Sequence, residues 1–288
     1  MSTPTNPSDN QTTYFINPED AAETSRLLMQ DRVVTQEMGG LFPADLDLEP
    51  IHLVLDLACG PGGWASEVAR AYPHMDVVGV DISEKMMRYA AAQARTQGLS
   101  NASFQVMNVL EPLSFPDDAF EFVNARFISP FMPKDAWPKL LAECLRITRP
   151  GGIVRITDGE WEFSNGAASE KIADLVTRAS WLAGKSFSPD GKRFGTTLVL
   201  GQLMREAGLV NLRRQAYALD YSYGTEAYET FYQEWVMGTP LLLPFLQGMG
   251  VTTKEEFDRL YEQMVEEMQE PAFRGLWFFL SVWGTKPV

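Results

Sequence analysis

Two carboxylates that close apolar runs are the side chains of this sequence best placed for chemistry. Asp56 lies at the end of a β-type run and precedes a loop that contains Gly60 and Gly62. Asp81 ends a second apolar run, 21 residues beyond Gly60. In a parallel α/β sheet, ligands bind at the carboxyl ends of the strands, where these residues would meet. The pattern therefore predicts a site for a nucleotide or a nucleoside.

The glycine loop indicates which of these ligands fits. Gly60-x-Gly62-x-x-Ala65 formally satisfies the dinucleotide fingerprint, so an NAD-dependent oxidoreductase is an alternative. However, Asp56 adds negative charge where a pyrophosphate would lie, and Pro61 removes one N–H donor. The same charge attracts a ligand that carries an ammonium and a sulfonium group. S-adenosylmethionine is such a ligand.

Four segments of the chain resemble class I S-adenosylmethionine-dependent methyltransferases of the small-molecule type. They are residues 56–62, 80–83, 104–109 and 141–152, in the family's order. The resemblance implies an α/β fold: a doubly wound, seven-stranded, mostly parallel Rossmann-like sheet with an added helical lid. In that fold the last strand runs antiparallel beside the fifth. It also implies methyl transfer from S-adenosyl-L-methionine, with S-adenosyl-L-homocysteine as the product.

The resemblance assigns the candidate cofactor residues. Asp56 would face the methionine part, and Asp81 would bind the ribose, since a carboxylate offers two acceptors to two adjacent hydroxyls. Asn108 stands where the family more often has aspartate beside the adenine. The whole set is Tyr14, Gln30, Asp56, Ala58, Gly60, Gly62, Asp81, Ile82, Met86, Asn108, Val109, Leu110 and Arg126.

Several of these residues also have a purely structural interpretation. Asp56 would then cap the loop, and Asp81 would cap a helix, although Ser83 could do this instead. Ile82 and Met86 would simply pack a helix. Arg126 would form a salt bridge with Glu121 or Asp158.

The acceptor is expected to bind after the fourth and fifth strands, where the chain is rich in aromatic residues. Most of these rings should form core, and the remainder should line an apolar pocket. The candidate acceptor residues are Phe127, Glu160, Trp161 and Arg193, and the candidate bases are Glu160, Asp158 and Tyr14, with solvent as the alternative. Because a sulfonium already activates its methyl group, alignment and exclusion of water should supply most of the catalysis.

Composition excludes other classes of function. A net charge of −14 argues against binding nucleic acid. Two cysteines predict a reducing, cytoplasmic location.

His52 and His74 lie away from the predicted cleft, and no ligand spacing indicates a metal. No apolar run reaches the length of a membrane span. We therefore expect no membrane or nucleic-acid partner, a small-molecule methyl acceptor, and a monomer or homodimer.

The sequence predicts five regions. Residues 1–12 are polar, which predicts a disordered tail. Residues 13–45 are predicted to form a helical segment that covers the cofactor. Residues 46–158 form the cofactor-binding core, 159–275 hold the remaining core elements with a helical acceptor lid, and 276–288 form the final strand. A nucleoside-binding protein without catalysis is a further alternative, which an intact acceptor cavity would disfavour.

Overall fold

Eight strands form one sheet in the computed structural model, which describes residues 14–288. The predicted tail, 1–12, lies outside the described residues. The strands are β1 Leu53–Leu57, β2 Asp76–Asp81, β3 Ala102–Val106, β4 Phe120–Arg126, β5 Thr148–Gly159, β6 Phe163–Ser164, β7 Val210–Asp220 and β8 Gly275–Thr285. The order across the sheet is β3-β2-β1-β4-β5-β8, and β7 pairs with the other side of β8.

The first five strands are parallel: helices return the chain between β1 and β2, between β2 and β3 and between β4 and β5, and a loop over residues 107–119 joins β3 to β4. The last strand, β8, runs antiparallel to both β5 and β7, as expected. The two-residue strand β6 pairs with the start of β8 and is one strand more than the sequence predicts. Parallel order brings the carboxyl ends of β1, β2, β4 and β5 to one edge, which is where ligands bind in such sheets.

Nine α-helices flank the sheet within residues 14–288. They are α1 Ala21–Glu37, α2 Gly63–Ala71, α3 Glu84–Thr96, α4 Trp137–Ile147, α5 Ala167–Leu182, α6 Thr196–Glu206, α7 Tyr228–Gly238, α8 Leu243–Gly248 and α9 Lys254–Gln269. Helix α1 begins at Ala21. Asp20 is the cap, since its carboxylate accepts the N–H of Ala22 at 2.8 Å. None of the helices in this part of the chain is long and apolar enough to cross a membrane.

A second hydrophobic core lies beyond the sheet, among α5 and α7–α9. The helical period of α9 places Phe257, Leu260, Met264 and Met268 in this core, where all four are buried. Phe15, which precedes α1, is buried in the same core. The N-terminal segment is therefore packed onto the helical lobe, above the sheet edge that carries the glycine loop.

Candidate active site

One cavity of about 250 Å³ joins the carboxyl edge of the sheet to the helical lobe. Its walls come from the ends of β1, β2, β4 and β5, from α1 and from α7. The predicted site residues that line it are Tyr14, Gln30, Asp56, Ala58, Gly60, Asp81, Ile82, Met86, Asn108, Val109, Leu110, Arg126, Phe127, Asp158, Glu160 and Trp161. The cavity thus brings together side chains from both halves of the chain.

Two predicted residues, Gly62 and Arg193, do not line the cavity. Gly62 has φ +77°, and a Cβ there would lie 2.5 Å from the ring of Phe104, so this glycine permits close packing at the start of α2. Arg193 is exposed, whereas the next residue, Phe194, is buried and lines the cavity. Phe194, and not Arg193, is therefore the residue of this loop that faces the cavity.

Asp81 holds the glycine loop and the start of α3. Its carboxylate accepts the N–H of Gly60 at 3.0 Å and the N–H of Ser83 at 2.9 Å. Ser83 itself caps α3, because its Oγ accepts the N–H of Met86 at 3.1 Å. The helix-cap interpretation of Asp81 is therefore wrong. Desolvation raises the pKa of Asp81, and the three backbone N–H groups around it oppose that shift.

Asp56 is the end of a hydrogen-bonded chain that crosses three strands. Asn124 donates to its Oδ1 at 2.7 Å, and Arg155 Nε donates to the Oδ1 of Asn124 at 2.8 Å. Register explains the alignment, since Asp56 pairs with Asn124 and Asn124 pairs with Arg155. Arg155 is fully buried, with its guanidinium 5.1 Å from the ring centroid of Trp64. Burial nevertheless raises the pKa of Asp56 to about 7.

The expected adenine end lies between α3 and the turn after β3. The Oδ1 of Asn108 accepts the N–H of Leu110 at 3.0 Å, so this amide shapes the turn as well as facing the cavity. Met86 is buried against Leu27 of α1, so it serves helix packing too. A Cβ on Gly60 would lie 3.4 Å from Leu27, which shows how closely α1 covers the loop.

Arg126 has neither of the partners that the sequence suggested. It pairs with Asp31 of α1 and donates to the Oγ1 of Thr35 at 3.1 Å. Glu121 instead pairs with Arg149. The end of β4 is thereby tied to α1, so Arg126 fixes the wall above the methionine end.

The three candidate bases are all engaged in hydrogen bonds. Asp158 accepts the N–H and the Oγ–H of Ser129 and the N–H of Gly159, and burial raises its pKa to about 7. Tyr14 donates to the Oε1 of Glu23 at 2.7 Å, and burial raises the pKa of its hydroxyl. This shift keeps the hydroxyl protonated near neutral pH, which argues against Tyr14 as the base.

Glu160 has a structural task that the sequence did not indicate. Its carboxylate accepts the N–H groups of Phe194 and Gly195, at 2.9 Å and 3.1 Å, and the hydroxyl of Thr197 at 2.6 Å. These donors surround the start of α6, where a carboxylate is stabilised by the helix dipole. Glu160 is therefore better described as the residue that fixes α6 and the preceding loop, and we correct its assignment as a base.

A buried ion pair between α1 and α7 was not predicted from the sequence. Arg26 Nη1 donates to the Oε1 of Glu234 at 2.7 Å, and both residues line the cavity together with Glu162. Helical spacing in α7 offered a signal, because Phe231, Glu234 and Trp235 lie on one buried face. A glutamate on an apolar face requires a partner.

Metal-binding side chains do not cluster in the described part of the chain. Among residues 14–288, no group of three or more His, Cys, Asp or Glu side chains is arranged to hold a metal ion. The exposed rings of His52 and His74 lie 5.9 Å apart. They precede β1 and β2, at the opposite ends of these strands from the cavity.

Known proteins share both the core and the whole fold. A methyltransferase-domain family matches residues 54–152. Methyltransferase str3 of Strobilurus tenacellus is 31% identical over 148 residues, 51% of this chain and 49% of that protein, so the chain spans about half of its length. N-methyltransferase tcpN of Claviceps purpurea is 24% identical over 283 residues, 92% of this chain and 94% of that protein.

A solved structure agrees with these matches at the level of the fold. The YcgJ protein of Bacillus subtilis superimposes with a TM-score of 0.52 and 18% identity, covering 91% of this chain and 99% of that one. Strand order, loop geometry and the matched domain agree with one another. Residues 54–152 therefore match a methyltransferase domain, and the whole chain has the Rossmann-like fold of S-adenosylmethionine-dependent methyltransferases.

Proposed function

We propose that the protein transfers a methyl group from S-adenosylmethionine to a small acceptor with a largely apolar or aromatic body. The observation that carries this proposal is the continuity of the cavity, which runs from Asp81 and Asn108 to Trp161 and Trp235. A nucleoside-binding protein without catalysis has no need of a second, aromatic chamber. A cytoplasmic location and a monomeric or homodimeric state remain part of the proposal.

Each part of the cofactor has candidate partners at the sheet edge. Asp81 would bind the ribose hydroxyls, and Asn108, Val109 and Leu110 would contact the adenine, beside Ile82. Asp56, Ala58 and Gly60 would face the methionine part, with Gln30 and Arg126 on the α1 side. Ala58 supports this assignment, because its φ of +51° is a strained conformation for a residue with a side chain.

When bound, the sulfonium supplies an activated methyl group, so the chain mainly has to hold two reactants in line and exclude water. Phe127 and Trp161 would orient the acceptor. Phe127 is itself held at φ +53°, with its ring centroid 4.9 Å from that of Trp277. Asp158 faces the same chamber, with its carboxylate held by hydrogen bonds from Ser129 and Gly159.

Calorimetry tests the cofactor assignment. We expect S-adenosylhomocysteine to bind with a dissociation constant on the order of micromolar, about 8 kcal/mol, and NAD not to bind. Asp81→Ala should weaken binding about ten- to a hundredfold, since it removes charged acceptors worth about 1.5–3 kcal/mol. Asp76→Ala, at the exposed opposite end of β2, is the matched control and should bind normally. Tight binding of NAD would refute the proposal.

A further inference from the structure

The acceptor half of the cavity contains a carboxylate oxygen that accepts no hydrogen bond from residues 14–288. Glu234 is 6% exposed and lines the cavity. Its Oε1 accepts from Arg26 at 2.7 Å and from Gln30 at 2.8 Å. Its Oε2 is buried and has no hydrogen-bond partner within residues 14–288. Leaving a buried acceptor unpaired costs about 1–3 kcal/mol, so this atom points to a donor on a ligand.

Arg26 does not neutralise Glu234 alone. Its Nε and Nη2 donate to both carboxylate oxygens of the fully buried Glu23, at 2.7 Å and 2.8 Å. One guanidinium thus serves two carboxylates, and the group Glu23, Arg26 and Glu234 has an excess of one negative charge when both acids are ionised.

Glu162 adds a second carboxylate to the same chamber. It lines the cavity, and its carboxylate accepts a hydrogen bond from its own backbone N–H. Burial and the charge of Glu234 raise its pKa to about 8, while its own backbone N–H and Arg26 oppose the shift. Glu162, Arg26 and Glu234 line the same cavity.

The charges of the cavity walls disfavour an anionic acceptor. The lining carboxylates are Asp31, Asp56, Asp81, Asp158, Glu160, Glu162 and Glu234, and the lining guanidinium groups are Arg26 and Arg126. Both arginines already pair with carboxylates. A phosphate or carboxylate on the acceptor would meet repulsion from Glu234, with each lining cation already paired.

The aromatic walls favour a ligand that carries positive charge. The indoles of Trp161 and Trp235 meet edge to face, with centroids 5.6 Å apart, and both line the cavity. Such rings stabilise a nearby cation. The buried Nε1–H of Trp161 has no acceptor within residues 14–288, so an oxygen on the ligand would satisfy it.

We infer that the methyl acceptor is an amine on an apolar or aromatic body, with its N–H bound by Glu234 Oε2 and its proton received by Glu162. This inference rests on the proposed function. The nitrogen lone pair forms the N–C bond while the C–S bond breaks, and that electron pair goes to sulfur, giving S-adenosylhomocysteine. The N–H proton of the methylated ammonium passes to the carboxylate of Glu162, which later releases it to solvent.

A matched series of acceptors tests the class. Tryptamine, tryptophol and indole-3-propionate share one ring and one chain but carry an amine, an alcohol and a carboxylate. Each is titrated by calorimetry into the protein saturated with S-adenosylhomocysteine, and methyl transfer is followed by homocysteine release. We expect tryptamine to bind at least tenfold more tightly than the other two.

Variants assign the effect to the two carboxylates. Glu234→Gln and Glu162→Gln should each weaken tryptamine binding about tenfold and leave S-adenosylhomocysteine binding unchanged. Glu229→Gln, an exposed change of the same charge on α7, should alter neither. Should Glu234→Gln fail to fold, Glu162→Gln alone decides. The inference is overturned if the three compounds bind equally or not at all, or if Glu162→Gln binds tryptamine normally. The proposed function is overturned if the wild-type protein does not bind S-adenosylhomocysteine.

Discussion

The two halves of the cavity are built by different means. The cofactor half is made by strand ends and a tight loop, in which backbone N–H groups of Gly60 and Ser83 hold Asp81. The acceptor half is made by side chains from distant segments, such as Arg26 and Glu234, which are 208 residues apart. Few substitutions are tolerated in the half that the backbone builds. In the half that side chains build, one residue can be replaced at a time. This difference explains how one fold can retain its donor while its acceptor varies.

The sharpest test of the backbone-built half compares its two glycines. Gly62→Ala should cost about 3 kcal/mol or more, because φ is positive and the new Cβ would collide with Phe104. Gly60→Ala should cost only about 1–2 kcal/mol, since its Cβ would meet Leu27 at an ordinary 3.4 Å. Its main effect should be weaker cofactor binding. Urea unfolding and calorimetry measure the two effects, and equal stability of the two variants would contradict the distinction.

The acceptor half should make stability depend on pH. The pKa of Glu162 is about 8 in the fold, against an ordinary value of 4.5. The protonated acid therefore contributes stability below about pH 4.5, and this contribution is lost as the pH rises towards 8. We expect the free energy of unfolding of the ligand-free protein to fall by about 1–3 kcal/mol between pH 5 and 8.

Glu162→Gln should flatten this fall without abolishing it, because Asp56 and Asp158, with pKa values of about 7, act in the same direction. Thermal unfolding across this pH range provides the measurement. An unchanged fall in the variant would show that Glu162 keeps its ordinary pKa in the fold.

Glu160→Gln separates structural support from catalysis. Loss of the charge at the start of α6 should lower stability by about 1–2 kcal/mol and leave cofactor affinity unchanged. Glu206→Gln, an exposed change at the other end of the helix, should have little effect. Differential scanning fluorimetry compares the two. A stable Glu160→Gln protein with turnover lowered a hundredfold would restore Glu160 as a catalytic residue.

The smallest effect is expected from the histidines, which lie outside both halves. The double change His52→Asn and His74→Asn should keep turnover within about threefold, since losing a true general base costs about 10²–10⁴-fold. Steady-state assays with the acceptor found above provide the measurement. Abolished activity would mean that the reaction uses a different face of the sheet.

Sequence reasoning succeeded where the information is local. Asp56, Gly60 and Asp81 are close in sequence to the strands that position them, so spacing alone indicates a site. It failed where register or long-range pairing decides. The chain from Arg155 through Asn124 to Asp56 becomes visible only when three strands are aligned. Similarly, Glu160 looked free until the start of α6 was placed against it.

Helix α1 links the two halves, and this has a kinetic consequence. Leu27 of α1 packs beside Gly60 and Met86 over the cofactor loop, while the adjacent Arg26 binds Glu234 at the acceptor side. A single displacement of α1 would therefore uncover both chambers. The two products would then leave only when α1 moves away, so one event would limit both dissociation rate constants. Turnover at saturating substrate would report the lifetime of the docked helix.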